Sequence, residues 1–506
     1  MSGPQVLIVG AGPTGLVLAL RLRHHGLACR IIDQKSGPGE ASRATVVQAR
    51  TLEFYQQLGL SDAIVTQGIP IQAMHVRQGG REIAAIPLGA IGIGTSPFPF
   101  ALSFPQDDHE RFLTTQLAAL GVAVEWNTEL THFVQDEFGV SVTVRTPDHR
   151  QVQGRYRYLC GCDGVHSRVR TQLALPFPGG TYPQSFFVAD VALAGPPNSD
   201  LLGTFGGRDF VLMMPVRSSA TQRLVGIIPA GLAGRDDLTF ADLQPGIEQL
   251  LGIQVMSVNW FSTYRVSHRI AAHFHVDRTF LLGDAGHVHS PVGGQGMNTG
   301  IGDAVNLAWK LATVLQGKAH SRLLDTYEHE RIGFARALVA TTDRAFTTLV
   351  AAGFRGQVAR HWLLPHVLPW LSRFHAVQRL IFATISQVRI NYRDSALSQG
   401  QAGVVAGGDR LPWLAPVGIR ASNYDALRAL AWRVHVYGQA SAEVLEVTSQ
   451  LQLPVDVFTW DEGVRQAGLA RDALYLVRPD GHIGMALEPR DVGRLRRYLA
   501  DWGITP

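Results

Sequence analysis

Cysteine is scarce: in 506 residues it occurs three times, at Cys29, Cys160 and Cys162. No two of them have the CxxC spacing and no His/Cys spacing suits zinc, which excludes a zinc ribbon and a thioredoxin-type redox centre. A reducing compartment without structural disulfides is expected, with Cys160 and Cys162 acting as small buried residues. Charge is also low, at 17% of residues with a formal net charge of +4. Without a Lys/Arg block, nucleic-acid binding has no support. Long apolar runs are missing too. The most apolar region, 362–371, is cut by Pro365, His366 and Pro369, which argues against a bilayer span. No cleavable apolar leader, internal repeat or low-complexity tract stands out, so a cytoplasmic location is expected. What is present is 46% hydrophobic residues and 53 glycines, a composition and length suited to two or three packed domains.

The glycines are not scattered evenly. Val6 to Val9 is a short continuous apolar run, the mark of a strand buried on both faces. Gly10-Ala11-Gly12-Pro13-Thr14-Gly15 follows, and then Leu16, Ala19, Leu20 and Leu22 recur as on a helix. Gly26 ends that helix, and a second strand, Ala28 to Ile32, delivers Asp33 and Gln34. This is a GxGxxG in a complete βαβ context. Gly10 permits the tight turn, Gly12 the approach of a pyrophosphate to a helix N-terminus, and Gly15 close helix–strand packing. Asp33 stands where a ribose hydroxyl would be held.

A second glycine-rich segment runs from Leu281 to Lys310. Gly283 and Asp284 end a short apolar strand, and a carboxylate there can accept hydrogen bonds from a polyol. Pro291, Gly293, Gly294, Gly296 and Gly300 then form a loop nearly free of side chains, feeding a helix that carries Ile301, Ala304, Val305, Ala308 and Leu311. Its first N–H groups favour an electron-rich ligand edge. A third strand-to-glycine step, Tyr158 to Gly161 followed by Asp163-Gly164, leads into Arg168 and Arg170.

Other stretches yield further expectations. Asp107 with Glu110 reads as a capping box after Gln106. Val122 to Trp126, Leu130 to Gln135 and Val140 to Arg145 read as a small meander, and 186–274 as a mostly antiparallel sheet without long helices. In that sheet Val211, Met213 and Pro215 share one face, and Leu212, Met214 and Val216 the other. Arg43 and Arg50 are candidates to face phosphate, against the commoner solvated arginine, and Arg217 and Arg223 are candidates to bind a substrate carboxylate, although surface exposure is the expectation for them. The spacing of His273/His275 and His287/His289, without further ligands, gives no metal site.

Taken in order, these segments resemble the class A flavoprotein monooxygenases, the para-hydroxybenzoate hydroxylase family. Gly10 to Gly15 is similar to the family's GxGxxG, Asp163-Gly164 to its DG motif and Gly283-Asp284 to its GD motif. The string GDAxHxxxPxGGQGMNxGxxDAxNLxWKL, matched from Gly283 to Leu311, resembles the polyketide, phenylpropionate and phenol hydroxylase branch. Two departures are Gly286, where alanine is usual, and Ser290, where proline is common.

The resemblance implies an α/β fold: a Rossmann-like FAD-binding domain (1–75, 101–182 and 275–345) and an inserted, mostly antiparallel β-sheet substrate domain (76–100 and 183–274). A helical connector (346–395) and a thioredoxin-like C-terminal domain (396–506) complete it. Gly408 to Pro412 and Tyr475 to Gly481 resemble that last domain's entry motif and closing hairpin; without CxxC it is expected to be a structural or dimer-packing appendage.

The resemblance further implies FAD, with pyrophosphate at Gly12, Pro13, Thr14 and Gly15, and adenosine ribose at Asp33. The ribityl chain would lie near Gln106 and Asp284, and the isoalloxazine edge against Gly294, Gly296, Met297 and Asn298. Arg43 matches the arginine after the second strand, and Asp163 a contact to FAD and NAD(P)H. The implied reaction uses NAD(P)H and O₂ to hydroxylate a phenolic or polyketide-type aromatic ring through a flavin C4a-hydroperoxide. Pro291, at the head of the flavin loop, is placed with Tyr264 and His268, which would polarise a phenol, among the candidate catalytic residues. Oxygen insertion beside a ketone and a flavin-dependent dehydrogenase remain alternatives on the same fold. Halogenases of this architecture carry a WxWxIP segment, which is missing here.

Overall fold

The computed structural model describes residues 3–39, 44–89, 91–195, 198–206, 209–217, 221–235, 237–290, 294–350, 374–417 and 421–506. Val6–Val9 lies inside a five-stranded sheet because all four of its side chains are apolar and buried. It pairs in parallel with Cys29–Ile32 on one side and Tyr158–Gly161 on the other, and Thr279–Leu281 continues the parallel order. His275–Val276 closes that edge antiparallel. Three segments distant in sequence therefore leave adjacent strands at the same end of the sheet: Gly10, Cys162 with Asp163, and Gly283 with Asp284. That end is where open α/β sheets bind their ligands.

An eight-stranded sheet stands beside this unit. Its order is His287–Val288, Val255–Ile270, Gly179–Leu193, Thr221–Ile227, Asp209–Pro215, Leu201–Gly206, Met74–Gln78 and Arg81–Ile86. The hairpin of 74–86 joins the edge by parallel pairing with Leu201–Gly206. Phe187, Ala189, Val211, Met213 and Leu224 pack on the helix Phe240–Leu251 through Phe240, Leu243, Ile247 and Leu251. This twelve-residue helix corrects the reading of 186–274 as free of long helices. Its signals were local: a capping box between Thr239 and Asp242, and Gly252 in the left-handed conformation at φ 67°.

Two smaller readings are also corrected. The meander is built from Glu129–Asp136, Gly139–Arg145 and Gln151–Tyr156, whereas 122–126 contributes a single parallel bridge, Glu125 to Ile32, at the edge of the first sheet. Asp107 and Glu110 do not form a capping box. Pro105 occupies the N-cap of Gln106–Ala119, so both carboxylates fall inside the first turns and reach sideways.

The C-terminal unit runs Arg433–Tyr437, Ala442–Gln450, Val455–Phe458, then the antiparallel pair Leu474–Val477 and Ile483–Leu487, and the helix Gly493–Trp502. This β-α-β then β-β-α order is thioredoxin-like, as expected. Its core of Val434, Val436, Leu476, Met485 and Leu495 takes in Trp309 from the helix Gly296–Leu315, so the unit is joined to the rest of its own chain. Among the described residues no helix is long and apolar enough to cross a membrane; the apolar stretch 362–371 lies outside them.

Candidate active site

Glycine geometry locks the three strand ends together. Gly10 has φ +105°, and a Cβ there would lie 2.3 Å from the Cys162 carbonyl oxygen. One on Gly15 would lie 1.9 Å from the Gly10 carbonyl oxygen. The GxGxxG turn is thus pressed against the DG segment with no room for a methyl group. Thr14 ties in the third segment: a Cβ on Gly283 would stand 2.8 Å, and one on Gly300 2.3 Å, from Thr14 Oγ1.

Gly12 behaves differently. Nothing stands within 4 Å of where its Cβ would be, at the N-cap of Pro13–His24. Packing does not demand glycine there; a ligand approaching the helix N-terminus would. Gly12→Ala is therefore expected to leave the melting temperature of the apo-protein unchanged. A methyl against a bound pyrophosphate costs about 1–3 kcal/mol, roughly five- to 150-fold in FAD affinity. Titrating apo-protein with FAD and following flavin fluorescence checks both halves of this expectation.

The carboxylates fall into distinct settings. Asp33, 7% exposed, accepts from Ala11 N–H at 2.7 Å and Lys35 N–H at 2.9 Å, which pins the end of the second strand to the glycine turn. Gln34 beside it is exposed. Asp163 accepts from the N–H groups of Arg168 and Val169 through Oδ2, while Oδ1 is buried without a partner among the described residues. Burial pushes its pKa up, against the opposing pull of Ser167 and those N–H groups. Asp284 is exposed at its strand end. Gln106 donates to Glu110 at 2.8 Å, and Glu110 in turn accepts from Gly39 N–H at 2.7 Å.

The flavin-loop helix begins at Gly296 with Gln295 as N-cap. Its first intrahelical N–H bond runs from Thr299 to the Gln295 carbonyl, so the N–H groups of Gly296, Met297 and Asn298 have no partner within the helix and, among the described residues, are the orphan donors of the first turn. Asn298 keeps its side chain for the protein. Its Oδ1 accepts from Gln48 N–H and the Thr51 hydroxyl, and its Nδ2 donates to the carbonyls of Val46 and Gly294. It offers a ligand its backbone. Gly294 takes φ +61°. Pro291 and Arg43 lie outside the described residues.

A bare cradle at Gly12 and three convergent N–H donors at 296–298 fit a flavin dinucleotide. Residues 4–342 match the family described as FAD binding domain. A 6-methylpretetramide 4-monooxygenase of Streptomyces rimosus is 34% identical, over 95% of this chain and 90% of that protein. The chain belongs to the class A flavoprotein monooxygenases. A solved anhydrotetracycline hydroxylase from Streptomyces rimosus superposes on this monooxygenase with a TM-score of 0.80 at 28% identity, covering all of both chains. A dialkyldecalin synthase of Streptomyces rugosporus is 33% identical over 68% of this chain and 73% of its own length.

Tyr264 and His268 lie on the long strand Val255–Ile270 of the monooxygenase, with Tyr264 against Phe186 and His268 against Tyr182, ring centroids 5.8 and 4.8 Å apart. Among the described residues His268 Nδ1 is buried without a hydrogen-bond partner. The arginine readings need correction. Arg50 is buried and pairs with Glu53 at 2.9 Å while donating to the Asp480 carbonyl, so it does not face a phosphate. Arg223, 1% exposed, forms a fork on Asp190 with both distances 2.7 Å. Arg217 is half-buried against Asp107 and Asp108. Burying a guanidinium requires such a partner, and the partners come from distant strands. Among the described residues no cluster could hold a metal ion; His287 donates to Asp303 instead.

Sequence reasoning missed Asp303 and Arg331. Asp303, fully buried, accepts from Gly283 N–H at 2.9 Å, His287 Nε2 at 2.8 Å and Arg331 Nε at 2.6 Å. Burial alone would raise its pKa, but Arg331 and His287 outweigh it and hold the carboxyl below its ordinary value. Glu330 and Asp480, each paired with Arg478, are likewise held down against burial. A carboxylate whose folded pKa is depressed contributes stability that is complete above its unfolded pKa and lost as pH falls. Acidification below the ordinary carboxylate values of 3.8 and 4.5 is expected to release FAD and unfold the chain together, as flavin fluorescence and circular dichroism would report. FAD release with the fold intact would count against these carboxylates.

Proposed function

We propose that this monooxygenase hydroxylates an electron-rich phenolic ring of polyketide type, with NAD(P)H as reductant and O₂ as the oxygen source. The single observation that carries the reading is the convergence of Gly10–Gly15, Cys162–Gly164 and Gly283–Gly300 around one cradle. Bound FAD supplies the redox chemistry. The residues of the chain bind, orient and exclude water. The N–H groups of Gly12, Thr14 and Gly15 receive the pyrophosphate, Asp33 the ribose, and those of Gly296 to Asn298 the pyrimidine edge, where they favour negative charge.

The inner face of the eight-stranded sheet suits an aromatic substrate. Phe186 stands opposite Tyr264 and Ile227 in register, and this aromatic and aliphatic surface keeps water from the reacting ring. Tyr264 and His268 are the residues we assign to hold its hydroxyl. NAD(P)H use, a cytoplasmic location and pairing into a homodimer belong to the same proposal. The polyketide class is favoured by the relative named 6-methylpretetramide 4-monooxygenase.

The test is a screen of phenols, naphthoquinones and aromatic polyketides for stimulation of NAD(P)H oxidation, with peroxide release measured alongside. Stimulated oxidation coupled to a product heavier by one oxygen atom is expected. Unstimulated oxidation ending wholly in peroxide, or reduction without oxygen transfer, would favour the dehydrogenase alternative.

A further inference from the structure

The close contacts of the glycine cradle are all made between residues 10 and 300, yet the C-terminal unit is wired into it. Glu330 and Arg331 are neighbours on the helix Asp325–Val350, both buried, and both meet the helix Gly296–Leu315, Glu330 at Asn306 and Lys310 and Arg331 nearer its start, at Thr299 and Asp303. Glu330 turns to the C-terminal unit. It receives both guanidinium nitrogens of Arg478, at 2.8 and 2.9 Å, Lys310 Nζ at 2.8 Å, Asn306 Nδ2 at 2.6 Å and the Ser395 hydroxyl at 2.8 Å.

Arg331 turns to the flavin loop. Its Nε meets Asp303 Oδ1 at 2.6 Å and its Nη2 donates to the Thr299 carbonyl at 3.0 Å. The other oxygen of Asp303 holds Gly283 N–H. A Cβ on Gly302 would lie 3.1 Å from Arg331 Nη2, so the helix gives the guanidinium room to reach the first turn. Tyr392 closes the circuit: its hydroxyl accepts from Arg331 Nη1 at 2.9 Å, and its ring lies under the Arg478 guanidinium and against His482 at 4.4 Å.

We propose that Arg331 is a positioning residue for the flavin, setting Gly283 through Asp303 and the helix N-terminus through Thr299, and that Arg478 and Tyr392 couple the C-terminal unit to it. The inference rests on FAD occupying the glycine cradle. Each group in the circuit is ion-paired or hydrogen-bonded in a dry interior, where one member cannot shift without leaving a charge or donor unpaired. The coupling is a free energy shared between two places and is therefore measurable as non-additivity.

The experiment measures FAD affinity of the apo-protein, the absorption spectrum of bound flavin and its midpoint potential, for wild type, Arg331→Met, Arg331→Lys, Tyr392→Phe and Arg478→Met. Thermal melting runs alongside. Arg331→Met is expected to weaken FAD about tenfold or more and to shift the flavin spectrum. Arg331→Lys, which can reach Asp303 but not fork to Thr299 and Tyr392, should fall between. Tyr392→Phe deletes one hydroxyl in a packed site and keeps the variant folded if Arg478→Met does not. It should move the spectrum and potential in the same direction as Arg331→Met, and a chain carrying both Arg331→Met and Tyr392→Phe should lose less affinity than the product of the two single losses. Unchanged affinity, spectrum and potential in folded Tyr392→Phe and Arg478→Met would overturn the coupling while leaving the FAD site standing. A wild-type chain that does not take up FAD would overturn the parent reading as well.

Discussion

Gly300→Ala is expected to weaken FAD binding by roughly hundredfold, the upper end of what overpacking by one methyl costs. The added Cβ would sit 2.3 Å from Thr14 Oγ1 and 3.1 Å from Gly283 Cα. Neither neighbour can yield cheaply. Thr14 is in the first turn of Pro13–His24, and Gly283 is held at φ +58° with its N–H on Asp303. The clash therefore separates the GxGxxG turn from the GD segment, the two walls of the cradle. Removing the nearer obstacle should recover part of the loss, so Gly300→Ala combined with Thr14→Ala should bind FAD better than Gly300→Ala alone. Fluorescence titration of the apo-proteins reads both. Wild-type affinity in the single variant would show that the two walls need not meet.

The second large effect lies at the junction with the C-terminal unit. Glu330 and Asp480 carry two negative charges, Lys310 and Arg478 two positive ones, and all four side chains are at most 2% exposed. The cluster is neutral as a whole. Glu330→Gln leaves one positive charge uncompensated in the interior and is expected to cost about 3–5 kcal/mol in stability. Adding Lys310→Met restores the charge balance, so the double variant should be more stable than Glu330→Gln.

The pH dependence sharpens this. Burial brings Lys310 down to about 8 even beside Glu330, with Arg478 adding to the fall. Without Glu330 its folded pKa drops further, while the unfolded value stays at 10.5. The unfolded chain then binds more protons across a wider window, and the stability of the variant rises with pH through it. Chemical denaturation at pH 6 and pH 9 should show a smaller deficit at the higher value. An equal deficit at both would mean that the lysine charge is not what the carboxylate balances.

How much of this was legible beforehand follows from which forces are local. The glycines of 10–15 and 283–300 announced themselves because close backbone approach leaves its mark on the residue that allows it, and the short apolar runs before them announced buried strands. The thioredoxin-like unit was legible only through resemblance. Partner choice was not readable at all. Asp303 falls inside the matched string of 283–311 and Arg478 inside the segment 475–481, but neither segment names a partner, and only the tertiary fold brings Arg331 to Asp303 and Arg478 to Glu330 within 3 Å. The same blindness put Arg223 on the surface and Asp107 in a cap. The helix Phe240–Leu251 was missed for a different reason: a Pro inside it and β-rich neighbours outweighed a capping box that was there to be seen.

Relatives of one architecture carry names as different as a monooxygenase and a dialkyldecalin synthase, so flavin binding alone does not decide the reaction. The most direct measurement is a turnover of the FAD-loaded protein with NAD(P)H and a stimulating phenol under isotopically labelled dioxygen, read by product mass. The account predicts one labelled oxygen atom in the aromatic product. A product without label, or label recovered only as peroxide, would contradict it.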